Sequence, residues 1–446
     1  MNKIYRRVWS RSLQQLVVAS ELARGTGRQG RRALLASSVL AGALMLPAIG
    51  ALASNPTDGA GVDAQGTADT VRALQPAAAG AGYVAIVGDD DGSDAATAEG
   101  ESAVAVGVRA FAQGNATTAV GSLAQAVGIG ASAFGQNASA YADAGTAIGQ
   151  SALATGLGNT AVGASAAAEG DQAATALGTL SVAAGEGSTA VGATAQAYGP
   201  GSLAAGYNAG TNSEAGVAIG ANARALGGDF TVAVGGYAMS RGEGASALGA
   251  GSLADGAYST ALGHQAASVG EGAVALGGTA AAEGSGALAA GGNSLAQGDG
   301  SVAVGHNSAA TGVGASAVGA SALAAADQST ALGEGSLALE EGSVAVGSGA
   351  NALARNAIAQ GRGAVASGDS SIALGDGSMA EGPGSMALGS LSASRGYASV
   401  ALGGHSQASG TSAVALGANA VADGESSAAL GVAALASGDF SSALGA

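Results

Sequence analysis

Three histidines, His264, His306 and His405, are the only imidazoles in a chain of 446 residues. A metal site or an acid–base catalyst would be sought there first. His264 and His306 each directly follow a glycine that closes an Ala-Leu-Gly or Ala-Val-Gly phrase, and His405 follows such a glycine one residue later. They lie far apart in sequence with no carboxylate at ligand spacing, so they read as corner residues rather than as a metal cluster. Were three copies of the chain to meet on an axis, one histidine per copy would form a ring able to hold an anion. Serine is abundant, but no histidine and acid are placed to activate one. Gly128-Ile129-Gly130 and Gly312-Val313-Gly314 look like pieces of a phosphate-binding loop, yet no strand–loop–helix unit surrounds them. There is no cysteine, which excludes disulfides and thiolate metal sites. The reading is a chain without catalytic residues, metal or cofactor. A glycan-cleaving β-helix would need clustered acids or bases in a groove, and none is found.

Recognition is the remaining chemistry. It is expected in the position six residues after each phrase-closing glycine, where Tyr141, Glu169, Tyr198, Arg241, Asp255, Glu283, Arg395 and Asp423 stand. Tyr141, Tyr198, Arg241, Asp255 and Arg395 are the candidate contact residues, since tyrosine and arginine give the largest contacts on a surface of small side chains.

The elements that position these residues follow from the phrase itself. The closing glycines run from Gly107 to Gly445, 25 of them, in 22 steps of fourteen and two of fifteen (163 to 178 and 220 to 235). The residue two before the glycine is alanine in every copy, and the residue one before is Val, Leu, Ile or Phe in all but Ala205, Ala290 and Gln360. Such alternation is the signature of a strand with two unlike faces. The large residues, Val304 and Val318 among them, are expected to fill a core, and the alanine face to lie against another backbone. Seven residues after the marker, glycine recurs in 19 of 24 intervals. One repeat is therefore expected to be two five-residue strands joined by two-residue corners. A heptad coiled coil is excluded, because glycine in a helix costs roughly 0.8–1 kcal/mol relative to alanine. Collagen fails for want of glycine at every third position. What remains is an all-β solenoid of 14-residue coils stacked by parallel pairing, a rod of roughly 115 Å at ~4.8 Å per coil. So narrow a coil should bury its small-residue face against identical chains, making an oligomer.

Composition agrees with many thin cores rather than one thick one: 81 glycines, 48% hydrophobic residues, yet only 3% aromatic. The net charge is −16, but residues 1–53 carry eight basic residues and one acid, leaving −23 on the remainder (7 basic, 30 acidic). That acidity excludes a nucleic-acid partner and keeps a long exposed surface soluble. Residues 33–53, after Arg31-Arg32, are apolar and end in Ala51-Leu52-Ala53, a small-x-small cleavage signature. Residues 1–53 are thus expected to be an export signal cleaved after Ala53, 54–100 a linker or N-terminal cap, and 101–446 the repeats.

Two strings resemble a known family. The segment before the apolar run, with Met1-Asn2-Lys3-Ile4-Tyr5-Arg6, Val8-Trp9-Ser10 and Ala19-Ser20-Glu21-Leu22-Ala23-Arg24-Gly25, resembles the extended signal peptide region of Gram-negative autotransporters. Ser301-Val302-Ala303-Val304-Gly305-His306-Asn307-Ser308 and Ser371-Ile372-Ala373-Leu374-Gly375-Asp376-Gly377-Ser378 resemble the head repeat of YadA-like trimeric autotransporter adhesins. The resemblance covers about residues 101–446. It implies a left-handed parallel β-roll, a homotrimer, passage through the export machinery to the outer membrane and cell surface, and binding to host matrix, host receptors or other bacterial cells. In that family a neck, stalk and membrane anchor follow the head. None is recognised here, so a fragment or a truncated product is expected. A structural or ice-binding solenoid is the alternative, but its regular threonine face is missing: after Thr118, Thr146, Thr160 and Thr175 that column is mostly Val or Ser.

Overall fold

The computed structural model describes residues 5–10, 15–20, 84–86 and 94–445. The apolar run 33–53, with its cleavage site, lies outside the described residues. The chain divides into two units, 1–71 and 72–446. In the first, Tyr5–Ser10 and Gln15–Ser20 form an antiparallel pair with Tyr5 opposite Ser20. The second is a parallel β-solenoid, and among the described residues there is no helix.

One coil shows how the repeat folds. Val302–Val304 pairs with Leu288–Ala290 in the coil before and Ser316–Val318 in the coil after. Ala309–Ala310 pairs likewise with Leu295–Ala296 and Leu323–Ala324. Between these strands are four-residue turns, closed by Ser308 N–H donating to Gly305 O (3.3 Å) and Ala315 N–H to Gly312 O (3.2 Å). The third residue of each turn is left-handed, Asn307 at φ 56° and Gly314 at φ 64°, which suits Asn and Gly. Gly305 itself sits at φ 134°, and a Cβ there would come within 2.5 Å of Gly319 O in the next coil. The marker glycine is therefore demanded twice, by its dihedral and by coil-on-coil approach. The strands are three and two residues long and the turns correspondingly larger, rather than five-residue strands with two-residue corners as the phrase spacing suggests. The register is repeated from Val84–Ile86 to Ser442–Leu444 in one sheet and from Thr97–Ala98 to Leu435–Ala436 in the other.

The interior is the reverse of the expectation. Ala303, Ala310 and Ala317 are fully buried, as are Ser301, Ser308 and Ala315 between them, whereas Val304 and Val318 point outward and are only half-buried. The small residues are the core, and they face each other inside the coil instead of meeting another chain. Two sheets joined by such short turns lie too close for anything larger than a methyl or hydroxymethyl group. Burial follows a seven-residue rhythm: Ser301, Ala303, Ser308 and Ala310 point in from the two sheets, and Val302, Val304, Ala309 and Thr311 point out. Inside, the two halves of a coil are nearly equivalent; outside, they differ.

The two fifteen-residue steps are absorbed at the same corner, each beside an enlarged interior residue. Asn159 is fully buried where other coils carry Ala, Ser, Thr or Gly. Its Nδ2 donates to Ala168 O (2.9 Å) and Gly170 O (2.7 Å), and its Oδ1 accepts from Ala174 N–H (2.8 Å). At the second step the buried hydroxyls of Ser213 and Thr231 meet at 2.6 Å, beside buried Thr211. A bulged corner leaves backbone groups off the ladder, and these side chains pair some of them.

Candidate functional site

Outward columns are the only places where side chains are free to differ, and each column becomes a row along the solenoid at ~4.8 Å per coil. The row one residue before each marker is apolar in 22 of 25 coils. Leu262 is 49% exposed, Leu332 45% and Ile148 41%. These residues form a stripe, narrowed at Ala205 and Ala290 and broken at Gln360, that is more extensive than the apolar patches of a few hundred Å² that a monomer tolerates.

The row six residues after the marker lies at the end of the opposite strand and carries all five candidate contact residues. Tyr141 and Tyr198 are half exposed, four coils apart, so they act separately. The Tyr141 hydroxyl donates to Gln125 Oε1 (3.2 Å) in the preceding coil. Arg241 and Asp255 are brought together, Nη1 to Oδ1 at 3.4 Å, and Arg395 faces Glu381 at 3.7 Å. These charges neutralise a neighbour in their own row. Arg362–Asp376 (2.9 Å) and Arg355–Glu341 (3.8 Å) do the same on the two corners. The guanidinium of Arg362, by hydrogen bond and charge, holds the Asp376 carboxyl below its ordinary value. All four pairs join residues fourteen apart, so the charges reinforce register.

The histidines are exposed corner residues, His264 and His306 at the second position of their turns and His405 at the third. Three coils separate the first two, and seven separate the last two. Among the described residues no three His, Asp or Glu side chains gather at metal-ligating distance.

Sequence reading passed over the corners that carry aromatic rings. Tyr207, Phe230, Tyr237 and Tyr258 are each at least 60% exposed. Phe230, Tyr237 and Tyr258 occupy left-handed turn positions at φ 57–59°, where Gly or Asn is usual. The signal was present in the sequence: Phe230, Tyr237 and Tyr258 each stand in a column held mostly by small or polar residues. The same reading missed the acids of the neighbouring column. Asp143, Asp299 and Asp327 each accept the backbone N–H of the residue one coil earlier, Ile129 (2.7 Å), Ser285 (2.8 Å) and Val313 (2.9 Å).

Comparison with known proteins bears on both units. The model of the extended signal peptide of the type V secretion system matches residues 1–50. The model of the YadA head domain repeat, two copies per match, covers 98–124, 126–152, 172–209, 212–238, 240–266, 268–420 and 422–446. The stretch 153–171 that it omits holds Asn159 and the first two residues of the first bulged corner. No curated protein matches the chain. Among solved structures, the collagen-binding domain of the Yersinia adhesin YadA is 30% identical over 29% of this chain and 65% of that domain, with a TM-score of 0.23.

Proposed function

We propose a function from a premise of family: the chain belongs to the YadA-like trimeric autotransporter adhesins. It is an adhesin head, non-enzymatic, exported to the bacterial surface and acting by attachment to host matrix, host cells or other bacterial cells. Residues 1–53 serve as the export leader, 54–100 as linker or cap, and 101–446 as the head. The head works as a homotrimer.

The observation that carries this reading is the apolar stripe. With the core already filled by alanine and serine, the outward Val, Leu, Ile and Phe of 22 coils are covered only by their neighbours in the row and stay exposed or half-buried. Three parallel copies packed along that stripe remove it from water and present the row of Tyr141, Tyr198, Arg241, Asp255 and Arg395 outward as contact surface. Parallel association keeps every coil beside its equivalent, the arrangement that closed symmetry requires.

Sedimentation equilibrium of residues 54–446, alone and fused to a trimeric stalk, tests the assembly. A rod that stays monomeric in both forms overturns the trimer. Attachment of the purified head to matrix proteins, cultured cells and the bacterium itself tests the function, and failure on all three would leave only a spacer.

A further inference from the structure

We propose that the corner edge bearing Phe230 and Tyr258 is a docking site for an arginine- or lysine-rich protein segment. The proposal rests on the adhesin reading for the partner being a protein surface, and it adds the chemistry of that partner.

Aromatic residues concentrate here. Between 94 and 445 there are ten, and five of them, Tyr198, Tyr207, Phe230, Tyr237 and Tyr258, fall within residues 198–258. Phe230 and Tyr258 share one column with Gly244 between them. The column is tied coil to coil by Phe230 N–H on Glu214 O (2.9 Å), Gly244 N–H on Asp229 O (2.9 Å) and Tyr258 N–H on Glu243 O (2.7 Å). Both aromatic residues are in the left-handed region, φ 59° and 57°, and both are 60% exposed. The backbone strain of a bulky residue there is not offset by burial in the core.

The rings are also held. A Cβ on Gly244 would meet Tyr258 Cδ1 at 2.9 Å, so the Tyr258 ring lies over Gly244 on the side toward Phe230. Its hydroxyl donates to Glu243 Oε1 at 2.8 Å. Phe230 is set by the second bulged corner, Gly227 to Phe230, behind which Ser213 and Thr231 meet in the interior. Two coils separate the rings, roughly 10 Å along the rod.

Arg241, on the coil between them, is paired with Asp255, and the charge left beside the rings has one sign. Glu214, Asp229, Glu243 and Glu271 flank the rings, all exposed, and none belongs to an ion pair among the described residues. The Tyr258 phenol is pushed up by its bond to Glu243, then by the Glu243 charge, by burial and by the Glu271 charge. Fixed aromatic faces rimmed by carboxylates that no cation neutralises select a guanidinium or ammonium, through the ring quadrupole and the carboxylate together. The spacing admits two such groups on one extended segment.

The test uses the purified protein, with octa-arginine and octa-glutamate peptides as probes. The double variant Phe230→Asn with Tyr258→Asn keeps the net charge, so general attraction of a basic peptide to an acidic rod is unchanged. Asparagine also suits the left-handed turn, so the melting temperature should hold or rise. The expected result is binding of octa-arginine but not octa-glutamate, weakened at least tenfold in the double variant and unchanged in Tyr397→Ala. Equal binding by wild type and double variant overturns the proposal. So does a changed oligomeric state in the double variant, which would assign the edge to a second copy of this chain. Attachment is read separately. A protein that attaches while its double variant binds peptide unchanged loses this site and keeps the adhesin reading. A protein that attaches to nothing, yet binds the peptide through its rings, loses the adhesin reading and keeps the site.

Discussion

At the scale of the residue, position within the coil decides what a side chain is worth. Ala303 is fully buried between two sheets and its neighbour Val304 faces out. Ala303→Val adds two methyl groups to a closed interior and should cost about 1–3 kcal/mol, read as a lower midpoint in denaturant. Val304→Ala should leave the single rod nearly as stable and weaken association instead. If the two variants have equal midpoints, the inward–outward assignment is wrong. The buried serines divide in the same way. Ser308 Oγ donates to Gly305 O at 2.9 Å, whereas Ser301 Oγ has no partner. Ser308→Ala should cost about 1 kcal/mol, and Ser301→Ala should be neutral or stabilising because it removes an unpaired buried hydroxyl.

At the scale of the element, the bulged corner and its buried polar residue form one device. Asn159 pairs Gly170 O and Ala174 N–H, groups that a fourteen-residue coil joins to each other across its corner, and adds a second bond to Ala168 O, which already accepts Thr155 N–H. Asn159→Ala should cost about 2–4 kcal/mol, since each buried backbone group left unpaired costs about 1–3 kcal/mol and a cavity remains. Deleting Asp171, the extra residue of the corner, should recover most of that loss in the Asn159→Ala background and little in wild type. A double variant no more stable than Asn159→Ala alone would separate the two features. Period, parallel stacking and glycine corners were legible in the sequence because each is repeated in register. The side facing inward was not. Alternation of Ala with Val shows two faces, and hydrophobicity alone puts valine inside; only the closeness of the sheets reverses that. The corner aromatics were illegible for a related reason. Turn columns look variable, and the left-handed backbone that makes Phe230 and Tyr258 unusual there is a property of the folded turn. Reading the row of Tyr141 and Arg241 as a recognition surface did not reveal that Arg241 and Asp255 sit one coil apart as partners.

At the scale of the whole molecule, the seven-residue rhythm of the interior and the fourteen-residue rhythm of the exterior separate folding from assembly. The solenoid is held coil to coil by nearest-neighbour contacts, so whole coils are interchangeable units. Deleting residues 306–319 removes one coil and should give a shorter rod that associates like wild type. Deleting residues 306–312 removes half a coil. Gly305 then leads into Val313-Gly314-Ala315-Ser316-Ala317-Val318-Gly319, which still offers a left-handed glycine, two small inward residues and a corner glycine at the required places. The interior accepts this, and the chain should keep its strand content by circular dichroism. The exterior does not accept it. Beyond the junction every apolar outward residue, Val318 and Leu332 onward, crosses to the opposite side of the rod, and the stripe is cut into two halves facing opposite ways. Two rods would then match along only part of their length, and sedimentation velocity should show association weakened far beyond the loss of seven residues. Equal association of the two deletion variants would mean that the stripe is not what joins the chains.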